Sequence, residues 1–386
     1  MTLAEIYPWA LGLSGFVYCL AMLALTSGMR RLRPGASGHQ PSVSIVVAAR
    51  DEEGCIRECI EALIAQHYPP ERLEILIVDD RSADRTHEIA SSYELRHVRV
   101  LRVKERRYAC PKKNALALGI AQSRGEIILT TDADCRPGPA WVAGTVRHFD
   151  PDTGMVAGHS AREGGKGPIA GLLRLEDLAK AGLSAGSIGL GMPLSCTGRN
   201  LAFRRSAFEA AGGYDRVGHI ISGDDVLLLR ELVTRTGWRV RFAAEPETSV
   251  PTSQETLSLS RLYNQKARHA CKAVHYGARI LVPAGVIYLF HLLLLAGVPA
   301  AIYSAGGFSA VWLGLAAKGS VDCAFLVRSA RLFGGTGLLR YLPLLEAVYL
   351  PYVVIFTPLG AFRKFTWKPD IEEQEQNRGA RSQNSE

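Results

Sequence analysis

The sequence lacks the two glycine-rich motifs that mark common nucleotide-binding domains. No G-x-G-x-x-G follows the first predicted strand, and no G-x-x-x-x-G-K-[ST] occurs in the 386 residues. The first absence argues against a Rossmann-type dehydrogenase, and the second argues against a P-loop NTPase. A nucleotide bound by this chain needs a different kind of site.

Metal-type cysteine pairs and a basic block are also absent. The 8 cysteines are scattered, and Cys55 and Cys59 share one face of a predicted helix, which favours core packing over chemistry. We predict no disulfide framework and a soluble part on the reducing side of the membrane. The net charge of +8 comes without a helix-turn-helix or aromatic pattern, so it favours phosphate substrates and anionic lipid over nucleic acid.

Formal charge is missing from a long stretch near the N-terminus. Residues 6–29 contain no charged side chain, and a run of this length can span a bilayer as a helix. Arg30, Arg31 and Arg33 follow the run, whereas the positive charges of a secretory signal precede it. We therefore predict a retained anchor whose C-terminal side faces the cytoplasm.

The last third of the chain has similar stretches. Residues 280–307 and 338–362 are good candidates for spans, whereas 308–327 contains Lys318 and Asp322. These two residues are four apart and could pair on one helix face. We expect two or three C-terminal spans, because the positive-inside rule favours neither number.

Strands and helices alternate between the two apolar ends. The patterns predict strands at 43–49, 73–78, 97–103 and 127–131, and helices at 54–67, 82–93 and 112–122. Further on, residues 172–183 predict an amphipathic helix, near the membrane or on an ordinary surface, and 239–243 predict an edge strand. This order predicts an α/β fold with a mostly parallel sheet.

Acidic residues follow three of the predicted strands. They are Asp51 and Glu52, Asp79 and Asp80, and Asp132 and Asp134. In open parallel sheets, ligands bind at the carboxyl ends of the strands. A lone Asp-x-Asp is more often a solvated turn, but three acidic strand ends on one edge would repel one another without a cation or polar ligand. Such carboxylates suit a hard divalent ion, Mg²⁺ or Mn²⁺.

Another acidic pair, Asp224-Asp225, opens the helical run at 226–236. A carboxylate at a helix N-terminus is commonly only a cap, because it accepts hydrogen bonds from the free N–H groups of the first turn. Without further context, capping is the simpler interpretation of this pair.

In this order, these motifs resemble those of the family 2 inverting glycosyltransferases with the GT-A fold. The matching pieces are 45–52, 78–86, 112–116, 132–134, 198–200, 223–225 and 265–269. The apolar segments resemble the membrane branch that contains cellulose, hyaluronan and poly-N-acetylglucosamine synthases and ceramide glucosyltransferase. The resemblance implies a GT-A-like, mostly parallel sheet with helices on both faces, flanked by N-terminal and C-terminal transmembrane helices.

The resemblance also implies roles for individual residues. Donor binding falls on Arg50, Asp51, Glu52, Asp79, Asp80, Lys112 and Asp132. Asp132 and Asp134 match the pair that holds a divalent metal, Mg²⁺ or Mn²⁺, on the donor diphosphate. Asp225 matches the general base. Contacts to the acceptor and diphosphate fall on Asp224, Gln265, Arg268 and His269.

Two positions depart from the family's pattern. Asp224 stands where Glu is more common, and His269 stands where a Trp usually stacks under the acceptor sugar. Imidazole has less π surface than indole, which favours single addition over processive synthesis.

The function expected from the resemblance is inverting transfer of a sugar from a nucleotide-diphosphate sugar, with uridine as the nucleoside, to a lipid-linked or envelope glycan acceptor. The alternatives are a processive polysaccharide synthase and a non-catalytic membrane scaffold of the same fold.

The predicted organisation has four parts. They are an anchor at 1–33, a cytosolic glycosyltransferase domain at 43–276, a membrane region at 277–368 and a disordered polar tail at 369–386. The expected location is the plasma or inner membrane, as a multi-pass protein with a cytoplasmic catalytic domain.

Overall fold

A seven-stranded sheet forms the centre of the structure, a computed structural model that describes residues 3–94, 97–253, 277–303 and 309–362. Its strands are β1 (Val43–Ala49), β2 (Leu73–Asp79), β3 (Val98–Arg102), β4 (Ile127–Asp132), β5 (Thr153–Gly158), β7 (Leu201–Arg204) and β8 (Arg239–Ala243). The order is β3-β2-β1-β4-β7-β5-β8, and β7 runs antiparallel to both of its neighbours. A separate parallel pair consists of β6 (Ser160–Glu163) and β9 (Val250–Ser253). The predicted mostly parallel α/β sheet is confirmed.

Helices cover both faces of this sheet. They are α2 (Ile56–Ile64), α3 (Thr86–Ser91), α4 (Pro111–Gln122), α5 (Trp141–Val146), α6 (Gly167–Gly189), α7 (Arg205–Ala210) and α8 (Val226–Arg235). Side chains alternate along β1, so Val46 joins the core formed with α4, α6 and α8, whereas Ile45 and Val47 join the core formed with α2 and α5. Helix α4 approaches β1 closely at Gly119, where an added Cβ would lie 2.4 Å from Val46 Cγ1.

Within the described residues, four helices are long and apolar enough to cross a membrane. They are α1 (Leu3–Gly28), α9 (Ala278–Tyr303), α10 (Ser309–Phe333) and α11 (Leu342–Phe362). They share a small core around Leu11, Phe290 and Val311, and they expose large apolar side chains such as Trp9 and Leu313 on the outside. The described part of the C-terminal region thus contains three candidate spans.

A buried polar network joins three of these helices. Lys318 Nζ lies 2.7 Å from Asp322 Oδ2, which confirms the predicted pairing on one face of α10. The Tyr18 hydroxyl of α1 donates to Asp322 Oδ1, and Lys318 also contacts Glu346 of α11. Buried charges in a membrane helix need partners of this kind, so the network holds α1, α10 and α11 together.

Helix α6 connects the domain to the membrane helices. An added Cβ at Gly186 would lie 2.4 Å from Leu25 O of α1, and one at Gly182 would lie 2.2 Å from Ser329 Oγ of α10. The predicted helix at 172–183 is therefore longer than expected, and it packs against candidate spans instead of lying on an ordinary surface.

Candidate active site

The carboxyl ends of β1, β2 and β4 meet at one edge of the sheet. In the register of these parallel strands, Ala49 pairs with Asp79 and Ala48 pairs with Asp132. All three acidic strand ends expected from the sequence therefore lie side by side.

The loops after β1 and β2 are bonded to each other. The Asp51 N–H donates to Ser82 Oγ at 3.0 Å, and the Ala83 N–H donates to Asp51 Oδ1 at 2.8 Å. Asp51 (φ 51°) and Arg81 (φ 57°) both adopt left-handed backbone conformations, which non-glycine residues rarely take. Strain of this kind persists only where surrounding bonds enforce it, and it concentrates at ligand sites. The loop also explains why α3 begins at Thr86 and not at the predicted Ser82.

Asp79 is fully buried, and each of its carboxylate oxygens lies near a protein group. Its Oδ1 accepts from the Ser82 N–H at 3.1 Å, and its Oδ2 lies 3.2 Å from Arg102 Nε. This carboxylate holds the loop that follows β2, so its nearest partners are protein groups.

Asp80, the next residue, lies between two arginines. Its Oδ1 is 3.2 Å from Arg81 Nε, and its Oδ2 is 3.8 Å from Arg50 Nη1. Burial raises the pKa of Asp80, and the two guanidinium groups oppose this rise. Basic neighbours of this kind allow the acidic strand ends to lie together. The sequence patterns had indicated Arg50 but not Arg81.

Lys112, near the start of α4, bridges two parts of the site. Its Nζ lies 2.6 Å from Asp132 Oδ1 and 2.9 Å from Asp224 Oδ2. Burial disfavours the charge of this lysine, but the two carboxylates hold its pKa well above the usual value. Burial alone would raise the pKa of Asp132, because it disfavours the charged carboxylate. The ammonium group of Lys112 outweighs this effect, so the pKa of Asp132 is lowered. The end of β4 and the acidic pair before α8 are thereby brought together.

Asp134 lies beyond this bridge. Its Oδ2 accepts from Thr252 Oγ1 of β9 at 3.0 Å, and burial together with the charge of Asp132 raises its pKa. Among the described residues, no three His, Cys, Asp or Glu side chains are grouped as a complete metal site. Two neighbouring carboxylates are nevertheless a fitting donor set for Mg²⁺ or Mn²⁺, which take the remaining ligands from water and substrate phosphates.

Asp225 is the N-cap of α8. The Val226 N–H donates to its Oδ1 at 2.7 Å, and the Gly198 N–H donates to its Oδ2 at 3.1 Å. The hydrogen bond from Val226 confirms the capping interpretation. The hydrogen bond from Gly198 is not part of a helix cap. It fixes this carboxylate against the loop at 198–200, which the resemblance had also included.

Gln265, Arg268 and His269 lie outside the described residues. Two residues that the sequence analysis missed contact the acidic edge. Thr252 binds Asp134, and Arg199 interacts electrostatically with Asp132 and Asp134. The Thr-Gly-Arg-Asn sequence at 197–200 was visible as a motif, but no spacing rule indicated that its arginine would face the β4 carboxylates.

Comparison with known proteins identifies the domain. Residues 44–212 match the family model described as glycosyl transferase family 2. This part of the chain is therefore a glycosyltransferase domain similar to family 2. The probable glycosyltransferase YdaM of Bacillus subtilis is 29% identical over 221 residues, which cover 54% of this chain and 52% of the relative.

Other relatives match shorter parts of the chain. A beta-monoglucosyldiacylglycerol synthase of Synechocystis is 36% identical over 95 residues, covering 24% of this chain and 20% of that protein. The chain thus spans about half or less of the length of these two curated relatives. The solved mannosyltransferase PcManGT from Pyrobaculum calidifontis, in complex with GDP-Man and Mn²⁺, has a TM-score of 0.58 at 22% identity, covering 92% of this chain and 99% of that one. This likeness shows the GT-A-type fold.

Proposed function

We propose that this chain is a membrane-bound inverting glycosyltransferase. It transfers a sugar from a nucleotide-diphosphate sugar, preferentially a uridine one, to a hydroxyl of a lipid or lipid-linked glycan. The observation that carries the proposal is the Lys112 bridge, because one cation contacts both Asp132 at the sheet edge and Asp224 beside Asp225. Groups suited to hold a diphosphate and to accept a proton thus face each other across one site.

The donor lies along the edge formed by β1, β2 and β4 in this proposal. Arg50, Asp51, Glu52 and Asp80 contact the nucleoside, and Asp79 positions the loop that carries Asp80. Lys112 stands next to the departing diphosphate, where an ammonium group offsets developing negative charge. Asp132 and Asp134 would hold a divalent ion, which supplies Lewis-acid stabilisation to the leaving group when bound.

Asp225 accepts the proton of the attacking hydroxyl. The N–H groups of Val226 and Gly198 orient its carboxylate. Attack on the face opposite the leaving diphosphate inverts the anomeric centre. Base assistance of this kind contributes about 10²–10⁴-fold in rate.

The membrane helices determine where the catalytic domain binds its acceptor. With α1, α9, α10 and α11 in the bilayer, the positive residues after α1 favour a cytoplasmic domain. Exposed apolar side chains on these helices support this placement, since large exposed apolar areas mark lipid or partner contact. The anchor, domain and membrane region predicted at 1–33, 43–276 and 277–368 remain our proposed division.

The experiment that tests this function is release of nucleoside diphosphate by the full chain in detergent with membrane lipid extract. UDP- and GDP-sugars are supplied one at a time, with Mn²⁺, with Mg²⁺ or with chelator. We expect metal-dependent release from one donor, and the product's length then distinguishes single addition from polymer synthesis. Donor binding without release from any sugar would favour the non-catalytic scaffold.

A further inference from the structure

Four buried polar side chains beside the proposed catalytic edge are poorly satisfied within the protein. They are His159, Ser160, Arg162 and Asp177, which we call the buried polar cluster. Each is less than a tenth exposed, yet His159 Nε2, Ser160 Oγ, Arg162 Nη1 and both Asp177 carboxylate oxygens make no hydrogen bond within the described part of the chain. Buried polar atoms without such partners cost folding free energy, so five of them on β6, on the residue before it and on α6 indicate a site for a ligand.

The cluster lies directly beside the β4 carboxylates. In the β6–β9 pair, Arg162 is the register partner of Thr252, and Thr252 Oγ1 donates to Asp134 Oδ2 at 3.0 Å. Ser160 points to the same face as Arg162, because side chains two apart on a strand share a face. Arg199 interacts electrostatically with Asp177 on one side and with Asp132 and Asp134 on the other.

The same cluster also borders the candidate membrane spans. Asp177 belongs to α6, which packs against α1 and α10 at Gly186 and Gly182. The His159 ring stacks on Phe333, the last residue of α10, with centroids 4.7 Å apart and planes 25° apart. A group bound here would therefore touch both the catalytic edge and the membrane end of the domain.

The atoms of the cluster determine what kind of group fits. Asp177 offers two acceptor oxygens, Arg162 offers a donor, and Ser160 and the imidazole of His159 offer either. Arg162 Nε is 3.6 Å from Asp177 Oδ2, too long for a hydrogen bond but close enough to keep the pair electrostatically matched. A phosphate carries acceptors only, so it would leave Asp177 unsatisfied and be repelled by it. Hydroxyl groups donate and accept, and two adjacent ones would satisfy the set.

We propose that the buried polar cluster is the acceptor subsite, and that it binds neighbouring hydroxyls on the headgroup of a membrane lipid next to the hydroxyl that Asp225 activates. This inference rests on the proposed function. The hydroxyls could belong to glycerol or to a sugar, because both present the same chemistry.

The test compares lipids in phosphatidylcholine nanodiscs containing the full chain. The added lipid is diacylglycerol, monoglucosyl-diacylglycerol or phosphatidic acid, and the donor is the one that the nucleotide-sugar panel identifies. Two rates are measured: nucleoside-diphosphate release without added lipid, which reports donor hydrolysis, and release at increasing lipid. We expect stimulation by one or both hydroxyl lipids, and the more effective one identifies the source of the hydroxyls. Stimulation by phosphatidic acid alone would overturn the proposal.

The variants are Asp177→Asn and Arg162→Gln, with Glu176→Gln as the matched control. Glu176 precedes Asp177 on the same helix and pairs with Lys180 at 2.9 Å. We expect each cluster variant to raise the half-saturating lipid concentration at least tenfold while donor hydrolysis stays within twofold of the unmodified chain. The control should change neither rate.

Three results would overturn the assignment. They are an unchanged lipid requirement, an equal loss of donor hydrolysis and lipid-stimulated release, and an unmodified chain that hydrolyses donor but responds to no hydroxyl lipid. If Asp177→Asn melts far below the unmodified chain, Ser160→Ala replaces it, because it removes one hydroxyl and no charge. A chain that binds no nucleotide sugar at all would contradict the proposed function itself and this inference with it.

Discussion

Lys112 is the residue on which the electrostatics of the proposed catalytic edge depend. It contacts Asp132 and Asp224 together, and burial strengthens such charge-assisted bonds because little water screens them. Without this ammonium group, two carboxylates would face each other and the donor diphosphate would meet uncompensated negative charge.

We therefore expect Lys112→Gln to weaken nucleoside-diphosphate binding about tenfold, or about 1.4 kcal/mol. Calorimetry with the diphosphate and Mn²⁺ measures this change. Lys180→Gln, the same substitution at an exposed position of α6, should leave the affinity unchanged. An affinity for Lys112→Gln equal to that of the unmodified chain would show that the lysine does not contact the donor.

His159 provides a residue-scale prediction about pH. Burial, assisted by the charge of Arg199, lowers its pKa from 6.5 to about 4. The unfolded chain therefore takes up a proton on this residue near pH 6.5, whereas the folded chain does so only near pH 4. The stability that the neutral imidazole of His159 contributes is fully present above pH 6.5. It is lost as the pH falls from 6.5 towards about 4.

The expected loss from this residue between pH 7 and pH 5 is about 2 kcal/mol. Melting temperatures in detergent at the two pH values measure it, and His159→Gln should show a smaller difference than the unmodified chain. His67→Gln, at an exposed histidine, should retain the full difference. The prediction is wrong if His159→Gln and the unmodified chain respond equally to acid.

At the scale of elements, α6 is the helix that joins the glycosyltransferase domain to the candidate membrane helices. Its glycines permit backbone contact with α1, since a Cβ at Gly186 would lie 2.4 Å from Leu25 O and 3.1 Å from Leu25 Cα. These are backbone atoms, which cannot move aside without shifting the whole helix.

Gly186→Ala is therefore expected to destabilise the chain by about 2 kcal/mol, although alanine has the better helix propensity. Gly285→Ala is the matched control, because this glycine of α9 is exposed and a Cβ added to it would have no neighbour within 4 Å among the described residues. Thermal melting in detergent should separate the two variants, with the control at or slightly above the unmodified chain. Equal melting temperatures would mean that the α1–α6 contact adapts freely.

The elements most visible in the sequence are those whose signals are local. Strand β1 matches its predicted range because valine and isoleucine fill four of its seven positions, and the acidic strand ends follow from the chain order alone. The β6–β9 pair was missed because each strand has only four residues and the pairing joins positions 90 apart, such as Ser160 and Val250.

The candidate site divides in the same way. The Asp-x-Asp motif after β4 pointed to Asp132 and Asp134, and the family resemblance pointed to Asp225. Thr252, Arg199 and Asp177 lie on three separate segments, which are β9, the 197–200 loop and α6. Their contacts depend on how these segments pack around the sheet edge, and no local sequence pattern predicts that packing. Burial of His159 likewise depends on Phe333, which lies far along the chain at the end of α10.

At the scale of the whole molecule, the junction between α10 and α11 lies beside α6 and the end of α1. Arg328 Nη2 donates to Met29 O at 3.4 Å, so the C-terminal end of α10 lies beside the C-terminal end of α1. The start of α11 lies on the same side, because an added Cβ at Gly171 of α6 would meet the Tyr341 ring. In the proposed topology, α11 crosses the bilayer once more and ends on the face opposite the domain.

Tags placed before Met1 and after Glu386 should therefore both be accessible from outside intact cells, whereas an epitope inserted at the exposed Gly38 in the 34–41 linker should become accessible only after permeabilisation. Antibody labelling before and after permeabilisation measures this. A C-terminal tag that labels only after permeabilisation would show that two C-terminal helices, and not three, cross the membrane.

The measurement that bears most directly on the proposed chemistry is turnover by Asp225→Asn at saturating donor and lipid acceptor, with donor affinity measured on the same preparation. Asparagine keeps the size of the side chain but removes the charge that accepts a proton. We predict that turnover falls about 10²–10⁴-fold while the dissociation constant for donor stays within about twofold. Full turnover by Asp225→Asn would contradict the assignment of Asp225 as the base, and a matching loss of donor binding would mean that this residue serves the donor site instead.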